Sequence, residues 1–187
     1  VSIGKTEDKT MARIVGYIAT SLDGFIADPE ESLDWLYKAE ADLGEHHYDK
    51  FIQGIRTVVM GRATYDWLVR SGMPWPYAEQ RSIVVTSQPI SDLPANVETR
   101  TDIDGLIAEL RALDDGDVWM LGGGKLQMAF MERGALDEIE IYIASALIGG
   151  GYPLFPATGF RATPTLLSAK YLGRGMARLH YSFGESK

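Results

Sequence analysis

Three consecutive glycines, Gly122, Gly123 and Gly124, separate an apolar run from an amphipathic one in the stretch DVWMLGGGKLQMAFMER, Asp117 to Arg133. Val118, Trp119, Met120 and Leu121 have the bias of a buried strand, and Leu126, Met128, Ala129, Phe130 and Met131 cluster as one face of a helix. A strand must therefore turn sharply into a helix, which commits this part of the chain to an α/β unit. Glycine lets a backbone approach a ligand closely, and the first turn of a helix leaves N–H donors unpaired at its positive end. The stretch is either an anion site, with phosphate as the natural occupant, or simply a tight turn. It does not follow the dinucleotide pattern G-x-G-x-x-G, because Gln127 stands at the last glycine. Nor is it a P-loop, since Leu126 follows Lys125 and Trp119 occupies the leading glycine position.

The same arrangement recurs upstream. Thr57 to Met60 is a short apolar strand, and Gly61 opens a helix running through Trp67 to Val69. Arg13 to Ser21 reads as the first strand, followed by a loop from Leu22 to Pro29 marked by Asp23-Gly24 and Asp28-Pro29. Helices are expected over Ser32 to Ala41 and Glu45 to Gly54, and over Ile103 to Leu113 by the spacing of Ile103, Leu106, Ile107 and Leu110. Ser82 to Thr86 and Val97 to Arg100 read as strands, as does the alternation of Ile139, Ile141 and Ile143 within Leu136 to Ile148. Thr165 to Leu172 and Met176 to Phe183 form a hairpin through Gly173-Arg174-Gly175. Strands alternating with helices up to Arg133, then strands alone, imply a mostly parallel sheet with an antiparallel hairpin at its far edge. Ligands bind such sheets at the carboxyl ends of strands, where Gly61 to Thr64, Thr86 to Ser87 and Gly122 to Gly124 all fall.

A chain of 187 residues suits one domain from Met11 to Lys187, with Val1 to Thr10 read as a flexible extension. The formal charge of −8 argues against a nucleic-acid or anionic-membrane partner, so an anionic ligand must be held by a local site. The absence of cysteine removes disulfides, thiol nucleophiles and thiolate metal sites, and with no membrane-length apolar run or secretory signal the expectation is a cytoplasmic protein. No metal is expected. His46 and His47 would point about 100° apart on a helix and read as a solvated face. His180 reads as a packed or edge residue, and Trp35 and Trp119 as core, Trp35 also being able to line a pocket.

MGRATY from Met60, IVVTSQP from Ile83 and MLGGGK from Met120 resemble, in order and spacing, the segments that hold NADPH in the dihydrofolate reductase superfamily. TSLDGFIA from Thr20 resembles the opening of the reductase domain of bifunctional riboflavin-biosynthesis deaminase-reductases and their stand-alone relatives. The resemblance spans nearly the whole chain from Met11. It implies an α/β three-layer fold of the dihydrofolate-reductase kind, with a mostly parallel central sheet, an antiparallel C-terminal hairpin and flanking helices. It also implies an NADPH-dependent reductase resembling 5-amino-6-(5-phosphoribosylamino)uracil reductase, acting on a small-molecule substrate. Gly61, Arg62 and Thr64 match cofactor-phosphate residues, the guanidinium of Arg62 suiting a 2′-phosphate. Thr86 and Ser87 match the adenosine side; Gly122, Gly123, Gly124, Lys125 and Leu126 match the pyrophosphate turn. Ala19 and Thr20 would lie beneath the nicotinamide, with Ile26 in a loop closing over it.

The resemblance further places Ser32, Trp35 and Leu36 beside the substrate and makes Asp23 the candidate to hydrogen-bond it or relay a proton. Asp23 can equally cap its own Asp-Gly turn. Dihydrofolate reductases need a carboxylate on the first helix, and aligning Trp35 with that helix's tryptophan leaves Ser32 at the carboxylate position. Asp34, two residues on, would point about 200° away on a helix, so only a shifted register recruits it. The alternatives are thus a nucleotide-binding module without turnover, or a folate reductase using Asp34. Family habit and the apolar strands Leu136 to Ile148 and Leu166 to Leu172 suggest a homodimer.

Overall fold

The computed structural model describes residues 11–173 and 175–184, so the extension expected over Val1 to Thr10 lies outside the described residues. Six strands are parallel: β1 (Ile14–Ser21), β3 (Ile55–Gly61), β4 (Arg81–Val85), β5 (Val97–Arg100), β6 (Asp117–Gly122) and β7 (Glu138–Ala144). The hairpin β9 (Thr165–Tyr171) and β10 (Met176–Ser182) joins through antiparallel pairing of β10 with β7. The sheet order is β5-β4-β3-β6-β1-β7-β10-β9. A separate ribbon pairs β2 (Phe25–Ala27) with β8 (Tyr152–Pro153), inside stretches that the sequence marks only as loop and glycine break.

Period-two alternation sorts each strand between two faces. Ile14, Val59, Ile83, Val118 and Met120 face a core completed by Leu106 and Leu110 of α4 (Ile103–Arg111) and Leu126 and Phe130 of α5 (Gly124–Glu132). Val15, Val58, Met60, Val84 and Trp119 face the other core, under Phe51 and Ile52 of α2 (Tyr48–Gln53) and Tyr65 and Leu68 of α3 (Arg62–Arg70). Helices therefore cover both faces of one sheet, the three-layer arrangement expected. Among the described residues no helix is long and apolar enough to cross a membrane.

Two expected helices are cut short. Instead of spanning Ser32 to Ala41, α1 is a single turn, Asp34–Tyr37. The backbone just beyond it pairs elsewhere: Gly175 N–H donates to the Glu40 carbonyl at 3.0 Å and Asp42 N–H to that of Leu172 at 2.9 Å. The segment Glu45 to Gly54 splits into a 3-10 turn, Gly44–His46, and α2, because His47 is extended and caps α2 by accepting the Asp49 N–H on Nδ1 at 3.2 Å. The two histidines thus straddle a break rather than share a helix face.

Candidate functional site

Strands β4, β3, β6, β1 and β7 are consecutive neighbours and parallel, so their carboxyl ends line one edge of the sheet. Gly61 to Thr64, Thr86 with Ser87, and Gly122 to Leu126 all leave from that edge. The two glycine turns touch. A Cβ built on Gly61 would lie 3.9 Å from the Gly122 carbonyl oxygen and the Gly123 nitrogen, and one on Gly123 would lie 3.7 Å from Thr64 Oγ1. Both turns feed nine-residue helices, α3 and α5, whose N-caps are glycines with no side-chain cap. By contrast, α4 is capped by Asp102, which accepts the N–H groups of Asp104 and Gly105 at 3.1 Å each. Two helix starts without side-chain caps therefore adjoin at one crevice, an arrangement suited to a phosphate-bearing ligand.

The three glycines have separate reasons. Gly122 has φ +139°, a backbone conformation closed to side chains, and its peptide bond to Gly123 is cis. Gly123 is extended, with φ −82° and ψ −176°. At Gly124 a Cβ would meet the Pro153 carbonyl, and the Leu154 carbonyl at 2.8 Å. Its missing side chain thus admits the β8 segment, which packs over the start of α5.

Arg62 opens α3 and reaches the loop that follows β4. Its Nε donates to both carboxylate oxygens of Asp66, at 2.8 and 2.9 Å, and Nη1 reaches the Pro89 carbonyl at 3.4 Å in the loop after β4. Thr86 Oγ1 accepts the Gln88 N–H at 3.1 Å and shapes that loop, with Ser87 exposed beside it. Lys125 is exposed on the first turn of α5 and Leu126 is buried. At the end of β1, Thr20 is buried with its hydroxyl on the Phe25 carbonyl at 3.1 Å, while Ala19 packs on the opposite face beside the Trp35 cluster. Ile26 of β2 is half-buried against the core under α4 and α5.

Asp23 ties the turn after β1 to the loop after β7. Ser21 Oγ donates to it at 2.6 Å, and the N–H groups of Ile148 and Gly149 donate to Oδ2 at 3.1 and 2.7 Å. The Ser21 hydroxyl, then these amides, hold the carboxyl below the usual carboxylate range, so this exposed group stays an ionised acceptor.

Beyond β1, a cleft of about 660 Å³ opens at the end of β7. Trp35 lines it, as do Asp34 and Lys38, and Ala144 to Ile148 form its far wall. Ser32 and Leu36 do not. Ser32 precedes α1, where its Oγ accepts the Asp34 N–H at 3.1 Å, and Leu36 packs in the small core around Trp35. The helix expected through Ser32 begins only at Asp34, and Asp34, exposed at that start, is among the residues lining the cleft. Sequence reasoning also missed the brace between the cleft side and α3. Trp67 Nε1 donates to the Glu31 carbonyl at 2.9 Å, and Arg70 pairs with the Glu31 carboxylate, joining across the intervening β6. The aromatic and charged residues alone carried no sign of that pairing. His180, bonded to Glu138 at 2.9 Å, pairs on a strand with Glu140 near the amino ends of β1 and β7, away from the crevice.

A family model described as RibD C-terminal domain matches residues 13–177. The uncharacterized protein YwjB of Bacillus subtilis is 32% identical over 170 residues, covering 90% of this chain and 97% of its own. The crystal structure of a putative riboflavin biosynthesis protein from Shewanella sp. PV-4 superposes with a TM-score of 0.81 at 24% identity, covering 92% of this chain and 99% of that one. Dihydrofolate reductase from Enterococcus faecalis, solved with NADP(H), superposes with a TM-score of 0.60 at 16% identity over 91% and 95% of the two chains. Its fold is therefore that of dihydrofolate reductase, and the chain belongs to the RibD C-terminal domain family.

Proposed function

We propose that this protein is an NADPH-dependent reductase of the riboflavin type, carrying a hydride to an electrophilic carbon of a small heterocyclic or ribosyl substrate. The observation that carries this reading is the contact between two uncapped, glycine-started helices at the carboxyl edge of the sheet. Bound NADPH would supply the hydride from nicotinamide C4. The N–H groups at the start of α3, from Arg62 to Thr64, and those of Gly124 and Lys125 would take its phosphates, the Leu126 N–H being held by the Gly123 carbonyl at 3.0 Å. Arg62 takes the 2′-phosphate by exchanging Asp66 for it, and Thr86 and Ser87 border the adenosine. Thr20, on the sheet face opposite Ala19, borders the nicotinamide, with Ile26 above. Catalysis is mainly the holding of ring and substrate at reacting distance, since Asp23, kept ionised, accepts a hydrogen bond rather than giving a proton.

Titration with NADPH tests this: nicotinamide fluorescence should rise and shift to the blue, and an unchanged spectrum at millimolar cofactor would refute it. The occupied state of Asp23 also favours a second reading, a nucleotide-binding module without turnover. Single-turnover oxidation of bound NADPH by an aminouracil riboside or its phosphate would exclude that. We further propose homodimerisation through β9, an edge strand on which Leu166, Leu167 and Tyr171 are exposed.

A further inference from the structure

Glu31 holds a backbone conformation that its side chain disfavours. Its φ is +62°, and the other non-glycine residue with positive φ among the described residues is Asp92, of a type that visits this region readily. A glutamate stays there only where its surroundings over-determine it. Three sets of bonds do so. Within its own segment, the Glu31 N–H donates to the Asp28 carbonyl at 3.0 Å, and Asp28 Oδ1 accepts the N–H groups of Glu30 and Ser32 at 3.1 and 2.7 Å. From α3, Trp67 Nε1 donates to the Glu31 carbonyl at 2.9 Å and Arg70 pairs with the carboxylate. From β8, the Tyr152 hydroxyl donates to Oε1 at 3.4 Å.

These bonds link the two helices that start at the glycine turns. Tyr152 is followed by Pro153 and Leu154, whose carbonyls crowd Gly124 at the start of α5, and Leu154 is buried in the core that also holds Leu126. Glu31 therefore joins α3 to α5 by way of β8, while the turns themselves touch at Gly61, Thr64, Gly122 and Gly123. Held at the turns alone, α3 could pivot against α5. Held at a second point, the two starts keep one separation.

We propose that Glu31 is a positioning residue for the phosphate grip, acting through α3 and β8 to set the spacing of the two helix starts. The assignment rests on the reductase reading, which names NADPH as the ligand that spans both starts. Such a ligand must meet both sets of amides at once, and it binds less tightly when their separation wanders. A ligand that meets only α3 and the loop after β4 is indifferent to that separation.

The test is calorimetric titration of the full chain with NADPH and with adenosine 2′-phosphate, which carries the group assigned to Arg62 but no diphosphate. Glu31→Ala and Arg70→Ala should each weaken NADPH about threefold, the effect that a partly exposed ion pair supports, and the double variant should weaken it no further. Adenosine 2′-phosphate should bind all of them as it binds the wild type. Glu31→Gly fits φ +62° without strain and should melt above Glu31→Ala, yet bind NADPH no better, so that affinity and stability part. Glu31→Gln, which keeps an acceptor for Arg70 and Tyr152, should recover part of the lost affinity. Unchanged NADPH affinity in Glu31→Ala, equal losses for both ligands, or an affinity that follows the melting temperature through the series would overturn the positioning role and leave the reductase reading standing. Wild-type protein that takes up neither ligand would refute the reductase reading, and the positioning role with it.

Discussion

Single side chains, present or missing, decide how the crevice is built. Gly124→Ala would push a methyl group into the Pro153 and Leu154 carbonyls, which are backbone and cannot swing aside. It should cost about 1–3 kcal/mol by thermal or chemical melting, as overpacking does, and weaken cofactor binding with it. Arg62→Ala should raise KM for NADPH by about tenfold or more and leave KM for NADH nearly unchanged, the difference a charge-assisted bond to a 2′-phosphate makes. Asp66→Asn, which frees the same guanidinium, should lower KM for NADPH; steady-state kinetics with both cofactors reads each change. At this scale the sequence was legible where a residue's backbone needs are local. Gly122 had to be glycine at a sharp turn. The reason for Gly124 was not legible, because the chain that crowds it is some thirty positions away. Ser32 and Asp34 exchanged places for a related reason: which of them faces a cleft depends on where a one-turn helix begins, and that is set by contacts made beyond it.

Elements followed the hydrophobic pattern wherever that pattern is long enough to bind its own backbone. Strands β3, β6 and β7, read from runs of alternating or continuous apolar residues, fall within a few residues of their expected ends. The short pieces did not follow. Apolar Leu33, Trp35 and Leu36 suggested a full helix, yet Glu40 and Asp42 give their backbone groups to the ends of the β9–β10 hairpin, and only one turn remains. The β2–β8 ribbon exists through pairing between distant segments, which no local periodicity records. One assembly of elements has a measurable pH signature. Arg81 and Arg100, on β4 and β5, bracket Glu98 and bind Glu109 of α4, and Arg81 foremost lowers the Glu98 carboxyl to about 2. A carboxyl whose folded pKa is depressed contributes stability above its unfolded value near 4.5, and loses it as the pH falls toward 2. Glu98→Gln should therefore flatten the fall in melting temperature between about pH 5 and pH 2, an effect kept small by the exposure of this network.

For the molecule as a whole, the sheet order sets what the chain can do. Placing β6 between β1 and β3 brings the two glycine turns together, although they stand some sixty positions apart, and puts the end of β1 between the glycine crevice and the cleft at the end of β7. The opposite edge of the sheet ends in β9, nearly all of it exposed. Sedimentation should find a species of twice the 20.6 kDa chain mass, and Leu166→Lys with Leu167→Glu should return it to the monomer without loss of fold; a wild-type protein sedimenting only at the chain mass would refute pairing. In the proposed reductase the starts of α3 and α5 grip one diphosphate together. Following backbone amide resonances of ¹⁵N-labelled protein during titration with NADPH tests it most directly. The amides of Arg62 to Thr64 and of Gly123 to Leu126 should shift together along one binding curve. Shifts confined to one helix start, or two curves with different midpoints, would contradict it.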